Sequence, residues 1–274
     1  MTEQKNTHSL PQVFDLRDES EALYELLKPL GDADFATPTL FKNWTVNDIL
    51  EHLHLWNVAA LNSFQDEAAF DAYLQEILPY VMKGRIKDYE RICIDGLAGH
   101  ALLEAWRDFY LKMTDIFKDV DPKHRVRWAG PDMSIRSSIT ARLMETWAHG
   151  QAIYDLLGVE RQHTDRIENI VVLGVNTFNW TYASRQATPP GPMPYVRLTA
   201  PSGAIWAYGE ENEQSRIDGT AADFCQVVTQ VRNVGDTALK MTGAVAQDWM
   251  ATAQCFAGPS ETPPATGQRH LQKA

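Results

Sequence analysis

Cysteine is scarce: Cys93, Cys225 and Cys255 are the three in 274 residues, widely spaced and odd in number. They offer no disulfide framework and no cysteine-ligated metal cluster, and they suit a reducing, cytoplasmic setting. Positive charge is also short, with 25 Lys+Arg against 36 Asp+Glu and a formal net charge of −11. That balance lacks the positive stripe a phosphate backbone requires, so nucleic acid is not an expected partner. Apolar runs such as Ile170 to Val175 fall well short of the roughly 20 residues that cross a bilayer. The polar opening MTEQKNTHSLPQ has no signal-peptide pattern. What is present is ordinary globular composition, 44% hydrophobic and 22% charged. An acidic, soluble, cytoplasmic protein is expected.

One break in composition organises the chain. Residues 187 to 194 read ATPPGPMP, through which neither a helix nor a central strand can run. A bundle domain over 1–188 and a small α+β domain over 189–258 are expected on its two sides. The polar stretch GPSETPPATGQRHLQKA reads as a disordered tail over 259–274.

Before the break the apolar period is helical. Helices are predicted from Phe14 to Leu30, from Thr45 to about Phe64, over about 67–84, from Leu97 to Val120, from Ser137 to Leu157, and from Thr164 to Ser184. Thr45 with Asp48 three residues on is an N-terminal capping pattern. After the break, Tyr195–Ala200 and Ala204–Tyr208 flank the turn Pro201-Ser-Gly203 and predict a hairpin. A helix capped by Thr220, a strand over Thr237–Met241 and a last helix over Ala244–Phe256 follow.

Two helices carry residues with chemistry. In the second, His52 lies on the inward stripe of Ile49, Leu53 and Trp56, and His54 is expected to face water. In the helix over 137–157, Glu145 and His149 are four apart and point the same way, with Arg142 one turn before them. Two histidines and a glutamate converging from two helices would suit a divalent metal, zinc or nickel, with a coordination position left open for water or a thiolate. The same spacing equally describes a core histidine and an ordinary i, i+4 pair, and spacing alone does not bring the two helices together.

Trp44-Thr-Val-x-Asp48 with His52, followed by Arg142-Leu-Met-Glu-Thr-Trp-Ala-His-Gly150, resembles the DinB-like metal-binding bundles. The likeness is greatest to the mycothiol-dependent maleylpyruvate isomerase type. Asp218-Gly-Thr-Ala-Ala-Asp-Phe224 and Trp249–Pro259 look like the sterol-carrier-like C-terminal module of such proteins. The resemblance implies a mainly helical α+β fold, a DinB/YfiT-like four-helix bundle followed by a small sterol-carrier-like domain. It places the metal ligands on His52, Glu145 and His149. It also implies a low-molecular-weight thiol, mycothiol or glutathione, acting with the metal in an isomerase or transferase reaction on an electrophilic substrate. The segment around 67–96 exceeds a minimal bundle, so maleylpyruvate itself is not implied.

Arg142 and Arg232 are candidate substrate-binding cations; their alternatives are an ion pair and a helix-terminal charge. Trp56 and Trp147 would wall a pocket or simply fill the core, Cys225 and Cys255 read as buried inert thiols, and Asp48 would support His52 or only cap its helix. Two rival functions are a metal-dependent amide-type hydrolase that needs no thiol and a non-catalytic metal and small-ligand binding protein. The amphipathic faces are also compatible with a homo-oligomer.

Overall fold

The computed structural model describes residues 10–272 and has a mainly helical α+β fold. Its backbone gathers into two compact units. One holds the chain up to Pro38 and Asn43–Trp147; the other holds Thr39–Lys42 and the chain from Ala148 onward.

The first unit comprises α1 (Gln12–Leu27), α2 (Val46–Gln65), α3 (Glu67–Val81), α4 (Ile86–Ile94), α5 (Gly99–Phe117), the two-residue strands β1 (Arg125–Val126) and β2 (Met133–Ser134), and the first part of α6 (Ile135–Leu156). Helix α2 starts where its sequence says it must. The Thr45 hydroxyl accepts the Asp48 amide at 3.1 Å, and the Asp48 carboxylate accepts the Thr45 amide at 2.8 Å. This reciprocal box satisfies two donors that the helix start would otherwise leave unpaired. Leu16, Leu61, Met113, Phe117, Ile139 and Leu143 form the core shared by α1, α2, α5 and α6.

The segment over 67–84 forms the single helix expected, α3, and what the sequence pattern missed is the helix after it. Gly84, at φ 65°, turns the chain after α3 and a further helix, α4, follows. These two helices close over α2: Phe70, Ile77 and Tyr89 pack with Trp56, Ala60 and Trp128 in a second buried cluster. Lys87 and Arg91 of α4 also reach Asp48, at 3.1 and 2.6 Å.

The second unit holds the rest of α6, α7 (Glu168–Asn176), α8 (Phe178–Ala183), α9 (Ala221–Val228), α10 (Ala244–Thr252) and a sheet. In place of one helix over 164–184 there are two, because Thr177 turns its hydroxyl back onto the Leu173 carbonyl at 2.7 Å. The hairpin forms as β3 (Tyr195–Thr199) and β4 (Ile205–Tyr208). Strand β5 (Arg216–Thr220), which the sequence pattern missed, pairs in parallel with β3, and β6 (Lys240–Thr242) completes the order β4-β3-β5-β6. Strand β3 buries Val196 and Leu198 and exposes Arg197 and Thr199, the alternation of a sheet with one covered face. Trp249 sits at the centre of this core, 5.0 Å from the Phe178 ring and 5.8 Å from the Phe224 ring.

Residues 259–272 are not a free tail. Arg185 donates to the Glu261 carbonyl at 2.6 Å, Asn233 to that of Pro264 at 2.8 Å, Arg269 to that of Gln230 at 2.7 Å, and the Gln272 amide to that of Asp155 at 2.8 Å. Composition counts apolar burial alone, and this segment is held by hydrogen bonds to main-chain carbonyls, most of them from side chains. Among the described residues, no helix is long and apolar enough to cross a membrane.

Candidate metal centre

Helices α2 and α6 bring together what the sequence had left on separate stripes. One ligand atom each from His52, Glu145 and His149 lies within 4.8 Å of the others. His52 Nε2 is 3.5 Å from Glu145 Oε2, close to the ~3.4 Å between two ligands bound tetrahedrally at about 2.0–2.1 Å from zinc. Glu145 and His149 are one turn apart on α6, so the helix itself sets their spacing. Two imidazoles and one carboxylate are a donor set for zinc or a similar divalent ion, and three protein ligands leave room for an exogenous one.

His52 is fixed from behind by a residue that sequence reasoning missed. Glu90 of α4, with 0% of its surface exposed, accepts from His52 Nδ1 at 2.8 Å and from Trp56 Nε1 at 3.1 Å. This leaves Nε2 turned toward Glu145. A signal was present: Tyr89, Glu90 and Ile94 share the buried face of α4, so a glutamate stands in an apolar stripe. Burial works to lower the pKa of His52, but the Glu90 and Glu145 carboxylates outweigh it and raise the imidazole to about 9. The Trp44 and Trp56 rings lie 5.4 and 6.1 Å from that of His52, and the Phe41 ring meets His149 edge-on at 4.9 Å.

Other candidates fall differently. Arg142 is buried one turn before Glu145 and makes no salt bridge among the described residues; its guanidinium carbon lies 5.9 Å from the Trp56 ring centre and 5.3 Å from that of Trp128. Arg232 is committed to Asp155, at 2.6 Å. His54, expected to face water, is only partly exposed: it packs edge-on against Phe109 at 5.4 Å, and burial lowers its pKa. Asp48 caps α2 and pairs with α4, so the support given to His52 comes from Glu90 instead. Trp56 borders the site, whereas Trp147 is wholly buried. Cys225 and Cys255 are buried, and burial pushes the Cys225 thiol well up.

Fold and site together define a class: a mainly helical α+β protein whose bundle carries a candidate metal centre built from two helices. The mycothiol maleylpyruvate isomerase N-terminal domain family matches residues 16–154, and the chain belongs to that family. Two uncharacterized proteins of Mycobacterium tuberculosis strains are each 36% identical over 249 residues, covering 91% of this chain and 96% of the relative. The crystal structure of the mycothiol-dependent maleylpyruvate isomerase is similar with a TM-score of 0.53 and 15% identity, over 84% of this chain and 91% of that one. A histidine-to-alanine mutant of that enzyme gives 0.53 and 15% over 81% and 88%. At that identity the likeness is one of fold.

Proposed function

We propose that this protein is a divalent-metal-dependent enzyme that uses a low-molecular-weight thiol, mycothiol or glutathione, as cofactor or co-substrate in an isomerase or S-transferase reaction. The observation that carries this reading is the gathering of His52, Glu145 and His149 ligand atoms within 4.8 Å. Membership of a family named for a mycothiol-dependent isomerase supports the thiol. In this reading the bundle over 1–188 holds the metal and the sterol-carrier-like module over 189–258 completes the enzyme, in a reducing cytoplasm.

A zinc or nickel ion held there would supply Lewis acidity, lowering the pKa of a thiol that reaches the open position. The chain's own residues do the rest. Glu90 accepts a hydrogen bond from the Nδ1–H of His52, which orients the ring and leaves Nε2 for the metal. Glu145 contributes the negative charge that makes the site selective for a cation over a neutral guest. The Trp44 and Trp56 rings shield the imidazole from bulk water, which strengthens these electrostatic effects.

The test is thiol-dependent turnover of electrophilic substrates by the metal-loaded enzyme, by its chelated form, and by His149→Ala. Loss in the last two supports the proposal. Turnover that survives removal of the metal overturns it, and metal-dependent turnover without any thiol would replace it with the hydrolase reading.

A further inference from the structure

Arg142 is unusual in what it does not touch. It is 4% exposed, and its Nε and Nη1 have no acceptor among the described residues. Those nitrogens lie on opposite edges of the guanidinium, so no protein carboxylate forks the group on either side. Burial lowers its pKa, opposed by Glu145 and Tyr73, yet an arginine stays charged under such conditions. Nearby on the inserted helix α3, the buried Tyr73 hydroxyl is also without a partner among the described residues. Burial and the charge of Glu90 raise its pKa, so it remains a proton donor.

Trp56 links these groups. Its ring centre lies 5.9 Å from the Arg142 guanidinium carbon, 5.9 Å from the Tyr73 ring, 5.6 Å from that of Trp128 and 6.1 Å from that of His52. Glu145 is the carboxylate whose charge Arg142 feels, and in the proposed function that oxygen belongs to the metal. Arg142, one helical turn before Glu145, and the Tyr73 hydroxyl on α3 are therefore a cation and a donor flanked by flat rings and without a hydrogen-bonded acceptor among the described residues.

We propose that Arg142 and Tyr73 form a carboxylate-binding subsite that positions a flat monocarboxylate beside the metal centre. The planar guanidinium and the indole faces of Trp56 and Trp128 match a planar carboxylate on an unsaturated body. A dianionic phosphate would meet greater repulsion than a monocarboxylate from Glu90 and Glu145, whose charges reach Tyr73 and Arg142. The inserted helix, by supplying Tyr73, becomes a specificity element. The subsite rests on the proposed function only in that its ligand is a co-reactant at the metal. That carboxylate belongs either to the electrophile or, with glutathione as the thiol, to the thiol.

The test is calorimetric titration of the purified, metal-assayed protein with benzoate and with uncharged benzamide. Benzoate is expected to bind and benzamide not. Tyr73→Phe should weaken benzoate by about three- to tenfold. Arg142→Lys, which keeps the charge and the stem so that folding is spared, should weaken it by roughly tenfold or more because the planar fork is lost. His149→Ala should still bind benzoate. Equal binding of benzoate and benzamide, or unchanged benzoate binding in Arg142→Lys, overturns the subsite. So does benzoate that is lost with His149→Ala but kept by Arg142→Lys, since it would then sit on the metal. Prior saturation with glutathione distinguishes the source: displacement of benzoate assigns the subsite to the thiol's carboxylate, and co-binding assigns it to the electrophile's. A protein without metal that still binds benzoate through Arg142 would fail the proposed function and leave the subsite standing.

Discussion

Glu90 Oε1 accepts from His52 Nδ1 at 2.8 Å and from Trp56 Nε1 at 3.1 Å, tying the inserted helix α4 to the candidate metal ligand on α2. A buried carboxylate in that position fixes both the tautomer and the angle of the imidazole it holds. Replacing Glu90 by Gln keeps an oxygen acceptor and removes the charge. We expect a fold of near wild-type stability with metal affinity roughly tenfold weaker, and for Glu90→Ala a loss toward about a hundredfold. Glu90→Ala should also destabilise the protein by about 1–3 kcal/mol for each donor left unpaired. Chelator competition measures the first effect and urea unfolding the second. Unchanged affinity in both variants would show that His52 needs no support from α4.

Removal of a ligand should be far more severe than removal of its support. Among the described residues, two histidines and a glutamate are the donors gathered at the site, so each single deletion leaves two. We expect about one equivalent of zinc or nickel in the purified wild type by plasma mass spectrometry, and almost none in His52→Ala, Glu145→Ala or His149→Ala, with circular dichroism unchanged. A metal retained by all three variants would place it elsewhere in the molecule.

Asp48 gives a pH dependence whose sign is fixed by its partners. Burial opposes its charge, but the Thr45 amide and the Arg91 and Lys87 cations outweigh burial and hold the carboxyl below its ordinary value of 3.8. A carboxyl depressed on folding stabilises the native state above its unfolded pKa and loses that contribution as pH falls through the lower, folded value. Asp48→Asn should therefore cost about 1–2 kcal/mol at pH 7. The gap to wild type should narrow below pH 3.8 as the native carboxyl takes up its proton. Urea unfolding of both proteins at pH 7 and near pH 3 checks this, and a gap of constant size would remove the ion pairs from the account.

Much of this arrangement could be read from residue spacing because helices express themselves locally. The Thr45–Asp48 box, the inward stripe carrying His52 and the shared face of Glu145 and His149 all follow from 3.6-residue periodicity. What spacing could not supply was partnership across the fold. The turn at Gly84 makes α4 a helix of its own, and only then does Glu90 come under His52. Strand β5 escaped notice because Arg216-Ile-Asp-Gly-Thr220 has one fully buried apolar residue, Ile217, and depends on pairing with β3 and β6 for its form. The segment beyond 258 was misread for a related reason: its order comes from main-chain acceptors, which composition does not record. His54 lies on the polar side of α2 by angle, but Phe109 of α5 covers it.

The second unit offers a test of packing that is independent of the metal. Helix α7 passes over α9 at Gly174, where an added Cβ would stand 2.9 Å from the Phe224 ring and 2.9 Å from a Val228 methyl. Both neighbours are fully or almost fully buried, and Phe224 packs against Trp249 at 5.8 Å, so neither can withdraw without disturbing the next ring. In an exposed helix Gly→Ala would stabilise the chain through propensity, by up to about 1 kcal/mol. Here overpacking opposes that gain, at about 1–3 kcal/mol. We expect the clash to win: Gly174→Ala should lower stability by about 1–2 kcal/mol in urea unfolding while metal content stays at the wild-type value. A Gly174→Ala protein more stable than wild type would mean that α7 and α9 can move apart freely, and that the contact with Phe224 and Val228 does not hold the unit together.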